Sequence, residues 1–265
     1  MSPWPGDLLT NPRSERVKSV RRLAGGSARR REGLFLAEGP SCAREGLAAG
    51  AVKDLYLTEA AADRHPDLAE PGGDVRVFVC TDEVLAALAD TVTPQGVVAV
   101  ARIPQHALTD LQNPALVAVC AHVRDPGNAG TIIRVADAVG ADAVILTDAS
   151  VDPYNPKCVR STTGSLFHLP VITGPTLAET VDAVRGWGAT VLAADGAGEL
   201  SLDNLPRPGS GPVAWVFGNE AWGLPDEDAA LADHRVRIPM PGEIESLNVS
   251  VAAGVCLFEV VRQRS

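Results

Sequence analysis

Three separated segments in the second half of the sequence place polar side chains and glycines directly after apolar runs. They are residues 125–134, 216–225 and 238–250. Ligands of open α/β sheets bind at the carboxyl ends of strands, so we expect these polar groups to meet at one edge of a sheet. Taken singly, each segment is also compatible with a purely structural ion pair or a tight turn.

The first two segments offer an amide, a cation and a carboxylate. If Asn128 caps the helix that follows it, Arg134 lies on a sparsely polar face of that helix. Glu220 lies between Gly218 and Gly223, which have no side chains and so let a ligand approach the backbone closely. A carboxylate in such a loop can hold a cation, a hydroxyl group or an arginine.

The third segment leads from a proline-rich strand end into a long helix. The start of this helix offers the polar side chains of Ser246, Asn248 and Ser250. Free amide groups at a helix N-terminus favour an anionic group, such as the carboxylate of a cofactor. A stripe of small residues on the same helix also favours close packing within the fold or against another subunit.

Familiar nucleotide-binding and hydrolase motifs do not match the sequence. Gly196-Ala197-Gly198 is followed by Ser201 and not by a third glycine, so the dinucleotide-binding pattern fails. Neither a P-loop nor a Gly-x-Ser-x-Gly elbow occurs. The histidines and cysteines lack metal-ligand spacing, so no metal site is predicted.

The order of apolar runs predicts an α/β fold in two domains. Residues 1–105 are predicted to form a small α/β domain, with a helix over 11–24, a break at 25–27 and strands near 34–37, 54–58, 75–79 and 96–101. In residues 106–265, buried strands alternate with helices, which predicts a mostly parallel sheet. Its predicted strands are 116–121, 143–146, 167–172, 190–194 and 213–217, and its predicted helices include 128–139, 177–187 and 247–262.

Charge is distributed unevenly along the chain. The formal net charge is −10, yet residues 1–31 carry eight bases against two acids, or +6, and the remainder carries −16. Such asymmetry is compatible with a solvated helix and a basic loop, or with a surface that binds the phosphate backbone of a nucleic acid. On the second interpretation the RNA-binding residues are Arg16, Lys18, Arg21, Arg22, Arg29, Arg30 and Arg31.

The remaining composition is that of a globular protein. The longest apolar runs fall short of the roughly 20 residues that a membrane-spanning helix needs. The N-terminus has prolines and an acid where a secretory signal would be basic and then apolar. We therefore expect a cytoplasmic protein.

The three segments together closely resemble the SpoU, or TrmH-like, branch of the SPOUT methyltransferase superfamily. The matching pattern is Asn128-x-Gly130-x-x-x-Arg134, then Gly218-x-Glu220-x-x-Gly223-Leu224, then Ile238-Pro239-Met240 leading to Glu245-Ser246-Leu247-Asn248-Val249-Ser250. The resemblance covers residues 110–265. The N-terminal domain, with Leu36-Ala37-Glu38-Gly39, resembles more loosely the L30e-like substrate-binding domain of many members.

This resemblance implies a parallel sheet with a deep trefoil knot, a homodimer and a bound S-adenosylmethionine. Gly218, Ile238, Met240 and Leu247 match positions that hold the cofactor, largely through their backbone. The catalytic-site positions of the family are matched by Asn128, Arg134, Glu220, Ser246 and Asn248.

The implied reaction is methyl transfer to a ribose 2′-hydroxyl of RNA. The sulfonium of the cofactor already activates the leaving group, so the reaction needs no metal. A guanidinium is almost never deprotonated in a protein, so Arg134 is interpreted as a clamp on a phosphate. A separate substrate-binding domain favours 23S ribosomal RNA; the alternatives are transfer RNA, or a catalytically inactive relative that binds RNA.

Overall fold

A computed structural model describes residues 7–205 and 211–264 of the chain. These residues fold as two compact units. The first unit comprises residues up to 104 together with 154–168, and the second comprises 105–153 together with the residues from 169 onward.

The helices and strands follow one another in a regular α/β order. Up to residue 104 they are α1 (Glu15–Arg21), α2 (Gly26–Glu32), β1 (Leu34–Glu38), α3 (Pro40–Ala48), β2 (Val52–Thr58), α4 (Glu59–Arg64), α5 (Pro66–Ala69), β3 (Arg76–Cys80), α6 (Asp82–Leu88) and β4 (Val97–Arg102). They continue with β5 (Leu116–Cys120), α7 (Pro126–Ala138), β6 (Ala143–Leu146), α8 (Pro156–Thr162), β7 (Val171–Thr173), α9 (Leu177–Gly186), β8 (Thr190–Ala194), β9 (Leu200–Ser201), β10 (Val213–Phe217), α10 (Asp226–Ala229), β11 (His234–Arg237) and α11 (Val249–Arg264).

The first unit is built on a four-stranded sheet in the order β1-β4-β2-β3. β4 is antiparallel to both of its neighbours, and β2 and β3 are parallel. Apolar residues of α1 and α6 form a buried cluster with the sheet, centred on Val17, Leu85 and Tyr56. The four strands predicted for this domain are therefore present.

Residues 154–168, which the sequence placed in the second domain, belong to the first unit. The ring of Phe35 in β1 lies 5.0 Å from that of Tyr154 and 5.8 Å from that of Phe167. Arg160 of α8 donates to Glu38, whose side chain is 6% exposed, over 3.3 Å. Aromatic packing and a partly buried ion pair thus hold this segment on β1.

The break predicted at residues 25–27 is wrong in its extent, because α2 begins at Gly26 and contains the arginine cluster. Arg29 is 3% exposed, and its guanidinium donates to the carbonyl oxygens of Leu23 and Ala24 at 2.9 and 2.6 Å. This arginine therefore satisfies carbonyl groups at the end of the preceding helical turn. Arg30 and Arg31 are exposed on α2.

The second unit contains a seven-stranded sheet in the order β7-β6-β5-β10-β8-β11-β9. All of its paired strands run parallel. Its central strands β5 and β10 are buried along their whole length. The predicted α/β class with a mostly parallel sheet is therefore confirmed.

Helices cover this sheet on its two faces. α9 packs Val181 and Val184 against Val119 and Val216, which project from the same face of the sheet. Side chains alternate between the faces of a strand, so Trp215 and Phe217 of β10 point to the other face, where α7 and α11 pack together. In the described ranges, no helix is long and apolar enough to cross a membrane.

Candidate active site

A cleft lies at the carboxyl ends of β8, β10 and β11. It occupies about 840 Å³, including its open mouth. Its walls come from the loop after β10, from the irregular chain between β11 and α11, and from the residues just after β8. The lining residues are Ala194, Asp195, Gly196, Phe217, Gly218, Asn219, Glu220, Ala221, Gly223, Val236, Ile238, Met240, Glu245, Ser246, Leu247, Val249 and Ala252.

The loop after β10 closes on itself. The amide of Asn219 donates to the carbonyl of Gly223 over 2.8 Å, and the amide of Gly223 donates back over 3.0 Å. Gly223 has a φ of +71°, a left-handed conformation that favours glycine. A Cβ on Gly218 would lie 2.5 Å from the carbonyl carbon of Gly223. Both glycines are thus required by the ring that residues 218–223 form.

Asn219 ties this ring to the end of β5. Its side chain is buried; Oδ1 accepts from the amide of Ala221 and Nδ2 donates to the carbonyl of His122, each over 2.8 Å. His122 has a φ of +61°, and its Nε2 lies 2.6 Å from a carboxylate oxygen of Asp228. The loops after the two central strands are therefore fastened to each other.

Glu220 joins the first two sequence segments. Its carboxylate accepts from the amides of Arg124 and Asp125 at 3.3 and 3.0 Å, and from Nδ2 of Asn128 at 3.1 Å. Burial alone would raise the pKa of Glu220, but hydrogen bonds from these groups and from its own backbone together lower it below its usual value. The carboxylate is therefore ionised at neutral pH and acts as an acceptor.

A chain of side-chain amides connects Glu220 to the third segment. Asn248 Nδ2 donates to Asn128 Oδ1 over 3.0 Å, and Asn248 Oδ1 accepts from the amide and the hydroxyl of Ser250 at 2.9 and 2.6 Å. A backbone amide at one end can only donate, and a carboxylate at the other can only accept. Both side-chain amides therefore have one favoured orientation.

Asn248 also begins α11, since its carbonyl accepts from the amides of Val251 and Ala252 at 3.0 Å each. Its bond from the Ser250 amide satisfies one of the free donors of the first turn. The predicted helix start at residue 247 therefore lies two residues before the start of α11, and Ser246 precedes the helix.

The first segment begins its helix earlier than predicted. Asp125, and not Asn128, caps α7, because its carboxylate accepts from the Asn128 amide over 3.0 Å. Pro126 follows at the first helical position, where its missing N–H costs nothing. The Asn128 side chain is thereby left to bridge Glu220 and Asn248.

Residues 239–247 have no regular structure and use few of their backbone groups. None of their amides or carbonyls makes a backbone hydrogen bond to another group in the described part of the chain. Polar backbone groups seldom remain without partners once buried. Those that face the cleft are available to a ligand.

Most predicted site residues meet at this cleft. Gly218, Ile238, Met240 and Leu247, predicted to hold the cofactor, all line it, and so do Glu220 and Ser246. Asn128 and Asn248 reach it through Glu220. Arg134 is exposed on α7 and does not line the cleft.

Sequence reasoning missed Asp195 and Gly196. Both line the cleft, and Asp195 also accepts from Nε of Arg235 in β11 over 2.8 Å. Their position directly after β8 was the available signal, because the carboxyl end of a parallel strand is where ligands bind. Within the described residues, no group of three or more His, Cys, Asp or Glu side chains is placed to hold a metal ion.

The predicted RNA-binding residues lie on α1, the turn after it and α2 in the first unit. Arg16, Lys18, Arg21, Arg22, Arg30 and Arg31 are exposed, whereas Arg29 is buried. The Arg16 guanidinium stacks 4.2 Å from the centre of the Phe78 ring. Lys18 pairs with Glu15 and Arg31 with Glu32, both on the surface.

Two family models match the chain. Residues 115–258 match the SpoU rRNA Methylase family, and residues 14–99 match the MRM3-like substrate binding domain. The matched segments fall on either side of the boundary near residue 105.

Similar proteins span nearly the whole chain. The 23S rRNA (guanosine(2553)-2′-O)-methyltransferase RlmP of Bacillus subtilis is 32% identical over 256 residues, which are 95% of this chain and 98% of that protein. The AdoMet-bound rRNA methyltransferase from Sinorhizobium meliloti matches with a TM-score of 0.82 and 31% identity, over 97% of each chain. The SpoU methyltransferase AviRb from Streptomyces viridochromogenes, in complex with AdoMet, matches with a TM-score of 0.85 and 31% identity, over 95% of this chain and 98% of that one.

These matches confirm the resemblance inferred from the three sequence segments. A family model covers more than half of the residues, and a relative is 32% identical along almost the full length. The chain belongs to the SpoU rRNA methylase family.

Proposed function

We propose that this protein transfers a methyl group from S-adenosylmethionine to a ribose 2′-hydroxyl of 23S ribosomal RNA. The observation that carries the proposal is the cleft whose lining residues are tied, through Glu220, Asn128 and Asn248, to all three motif segments. The relatives that match both domains and are named for 23S rRNA support the choice of substrate.

The cleft suits an adenosyl ligand. Ile238, Met240 and Leu247 offer apolar surface, and the unused backbone groups of residues 239–247 offer donors and acceptors. Gly196 adds space, since the nearest atom that a Cβ there would meet lies 4.0 Å away. S-adenosylmethionine supplies a methyl group already activated by its sulfonium.

The protein has to align a poor nucleophile with that methyl group. A ribose hydroxyl is a weak nucleophile at neutral pH, so orientation and removal of its proton limit the reaction. Glu220 is ionised and engaged by three donors, so its role is to hold the loops after β5 and β10 in place. Arg134, whose guanidinium keeps its proton, clamps a phosphate next to the reacting ribose.

Methyl transfer and its position are tested together. The purified protein is incubated with tritiated S-adenosylmethionine and a 23S rRNA transcript, and the product is hydrolysed in alkali. Label in a dinucleotide that resists hydrolysis supports 2′-O-methylation, because the methyl blocks the attacking hydroxyl. Label in a mononucleotide indicates base methylation and contradicts the proposal. Arg134→Ala should remove turnover and leave folding unchanged; turnover close to that of the wild type would exclude its role.

The basic surface of the first unit, composed of Arg16, Lys18, Arg21, Arg22, Arg30 and Arg31, binds the RNA backbone in this proposal. Arg29 is assigned to the fold, because its guanidinium is buried against two carbonyls. Replacing Arg30 and Arg31 by Ala should weaken binding and reduce the salt dependence by roughly 0.7–0.9 per lost contact. Arg44→Ala, which removes an exposed arginine paired with Asp67, is the control and should leave both unchanged.

The same proposal includes a homodimer and a knotted catalytic domain. Val251, Val255 and Phe258 are 52%, 40% and 54% exposed on α11 and recur at helical spacing. An apolar helix face of this kind favours association with a second copy. Sedimentation should give a dimer for the wild type and a monomer for Phe258→Glu; an unchanged dimer would exclude this face.

A further inference from the structure

An exposed aromatic ring and an exposed cation meet beside the cleft. Trp222 is 53% exposed, and Cζ of Arg124 lies 5.2 Å from the centre of its ring. Each residue follows one of the two central strands, which are paired with Cys120 opposite Phe217. The parallel pairing of β5 and β10 therefore brings the two side chains together.

Both side chains are held by groups that organise the cleft. The amide of Arg124 donates to Glu220 over 3.3 Å. Trp222 belongs to the ring closed by the two hydrogen bonds between Asn219 and Gly223. Its neighbours Ala221 and Gly223 line the cleft, whereas Trp222 does not. The indole thus lies next to the cleft but outside the space that its walls enclose.

The fold makes little use of either side chain. An indole with half of its surface in water forgoes much of the stabilisation that its burial would contribute. The guanidinium of Arg124 pairs with no carboxylate among the residues that the structure describes. A ring with an arginine on one face can still offer its other face to a ligand.

Aromatic rings combined with arginine are the surface that unpaired nucleic acid recognises. Bases stack on the ring, and the cation attracts the backbone and strengthens stacking through its charge. We propose that Trp222 stacks on an unpaired base of the RNA substrate at, or next to, the methylated nucleotide, with Arg124 supporting the opposite face of the indole. This inference rests on the proposed function and adds that the substrate is single-stranded at that point.

The first experiment separates RNA recognition from cofactor binding. Steady-state methyl transfer to a 23S rRNA transcript is measured for the wild type, Trp222→Ala and Trp222→Phe. Loss of one stacked base should raise the KM for RNA about tenfold in Trp222→Ala. The Kd for S-adenosylmethionine, measured by calorimetry, should remain within about twofold. Trp222→Phe should recover most of the loss, since phenylalanine also stacks.

A second measurement does not depend on catalysis. Fluorescence anisotropy gives the affinities of the same variants for a labelled uridine dodecamer and for a fully paired RNA duplex. Trp222→Ala should bind the single strand about tenfold more weakly, with the duplex unchanged. If the wild type fails to methylate the transcript but this difference appears, the proposed function fails and the stacking role stands.

Three outcomes would overturn the stacking role. One is a Trp222→Ala variant that equals the wild type in single-strand affinity. Another is equal weakening of single-strand and duplex binding, which would indicate a general effect on the protein. The third is dissociation of a dimer by Trp222→Ala in sedimentation, which would assign the indole to a protein interface.

Discussion

The two segments that form facing parts of the cleft hold their shape by different means. Residues 218–223 close into a ring through two backbone hydrogen bonds, and the side chain of Asn219 is buried beneath it. Residues 239–247 make no backbone hydrogen bonds within the described chain, and Ile244 is 64% exposed. One wall is therefore formed by the protein alone, whereas the other relies on water or a ligand for its backbone partners.

This difference separates preorganisation from adaptation within a single site. A change in residues 218–223 acts on the protein itself, so it alters stability as well as binding. A change in residues 239–247 acts mainly on the bound state, because few contacts of the free protein are lost. Substitutions in the two segments can therefore be compared directly.

The largest effect is expected for Gly218→Ala. Its Cβ would meet the carbonyl carbon of Gly223 at 2.5 Å, so the ring must open. We expect a loss of roughly 1–3 kcal/mol in the free energy of unfolding and at least a tenfold weaker binding of S-adenosylmethionine. Urea unfolding and calorimetry measure the two quantities.

Gly242→Ala is the matched control in the other segment. A Cβ there would meet no atom within 4 Å, so the free energy of unfolding should change by less than about 0.5 kcal/mol. Equal destabilisation by the two substitutions would contradict the distinction between the two segments.

Asn248, which links the second wall to the first segment, should show an intermediate effect. Asn248→Ala removes both the cap of α11 and the bond to Asn128, and should cost about 1 kcal/mol of stability. Asn248→Ser keeps a capping oxygen but has no amide to donate to Asn128. Both variants should lose methyl transfer by roughly tenfold or more, while thermal unfolding should show destabilisation only in the alanine variant. Full activity in the serine variant would show that the bond to Asn128 is dispensable.

The smallest effect concerns the charge of Glu220. Its pKa is lowered in the folded protein, since the hydrogen bonds it accepts outweigh the effect of burial. The stability that this carboxylate contributes is therefore present above its unfolded pKa, whose model value is 4.5, and is lost as the pH falls through the lower folded pKa. Glu220→Gln lacks this contribution, so it should be less stable at pH 7 by only a few tenths of a kcal/mol, because the group is exposed. Urea unfolding at both pH values should show that difference shrinking in acid; a constant difference would assign it to packing.

Much of the second unit could be predicted from its sequence. Long apolar runs predict strands buried on both faces, and the three polar segments follow such runs or precede helices. Their convergence at one sheet edge follows from the parallel arrangement of the strands. The interruption of β5 and β8 by β10 in the sheet order could not be predicted in this way, because it depends on pairing between residues far apart in the chain.

Local signals that compete with one another account for the other differences. Asp125 and Asn128 are both good helix caps, and the proline after Asp125 decides between them. Gly25 and Gly26 predict a break, yet packing against the preceding turn supports a helix from Gly26. The strand predicted over 167–172 contains only the start of β7, because Phe167 packs on Phe35 in the first unit.

The excursion of residues 154–168 into the first unit limits how the protein can be divided. The chain passes between the units three times, after residues 104, 153 and 168. A fragment that starts at residue 106 would carry α8 without β1, on which α8 packs, and would expose the rings of Tyr154 and Phe167. The substrate-binding unit is therefore not a removable module. A transplant of RNA specificity from a relative would have to exchange both stretches of sequence together.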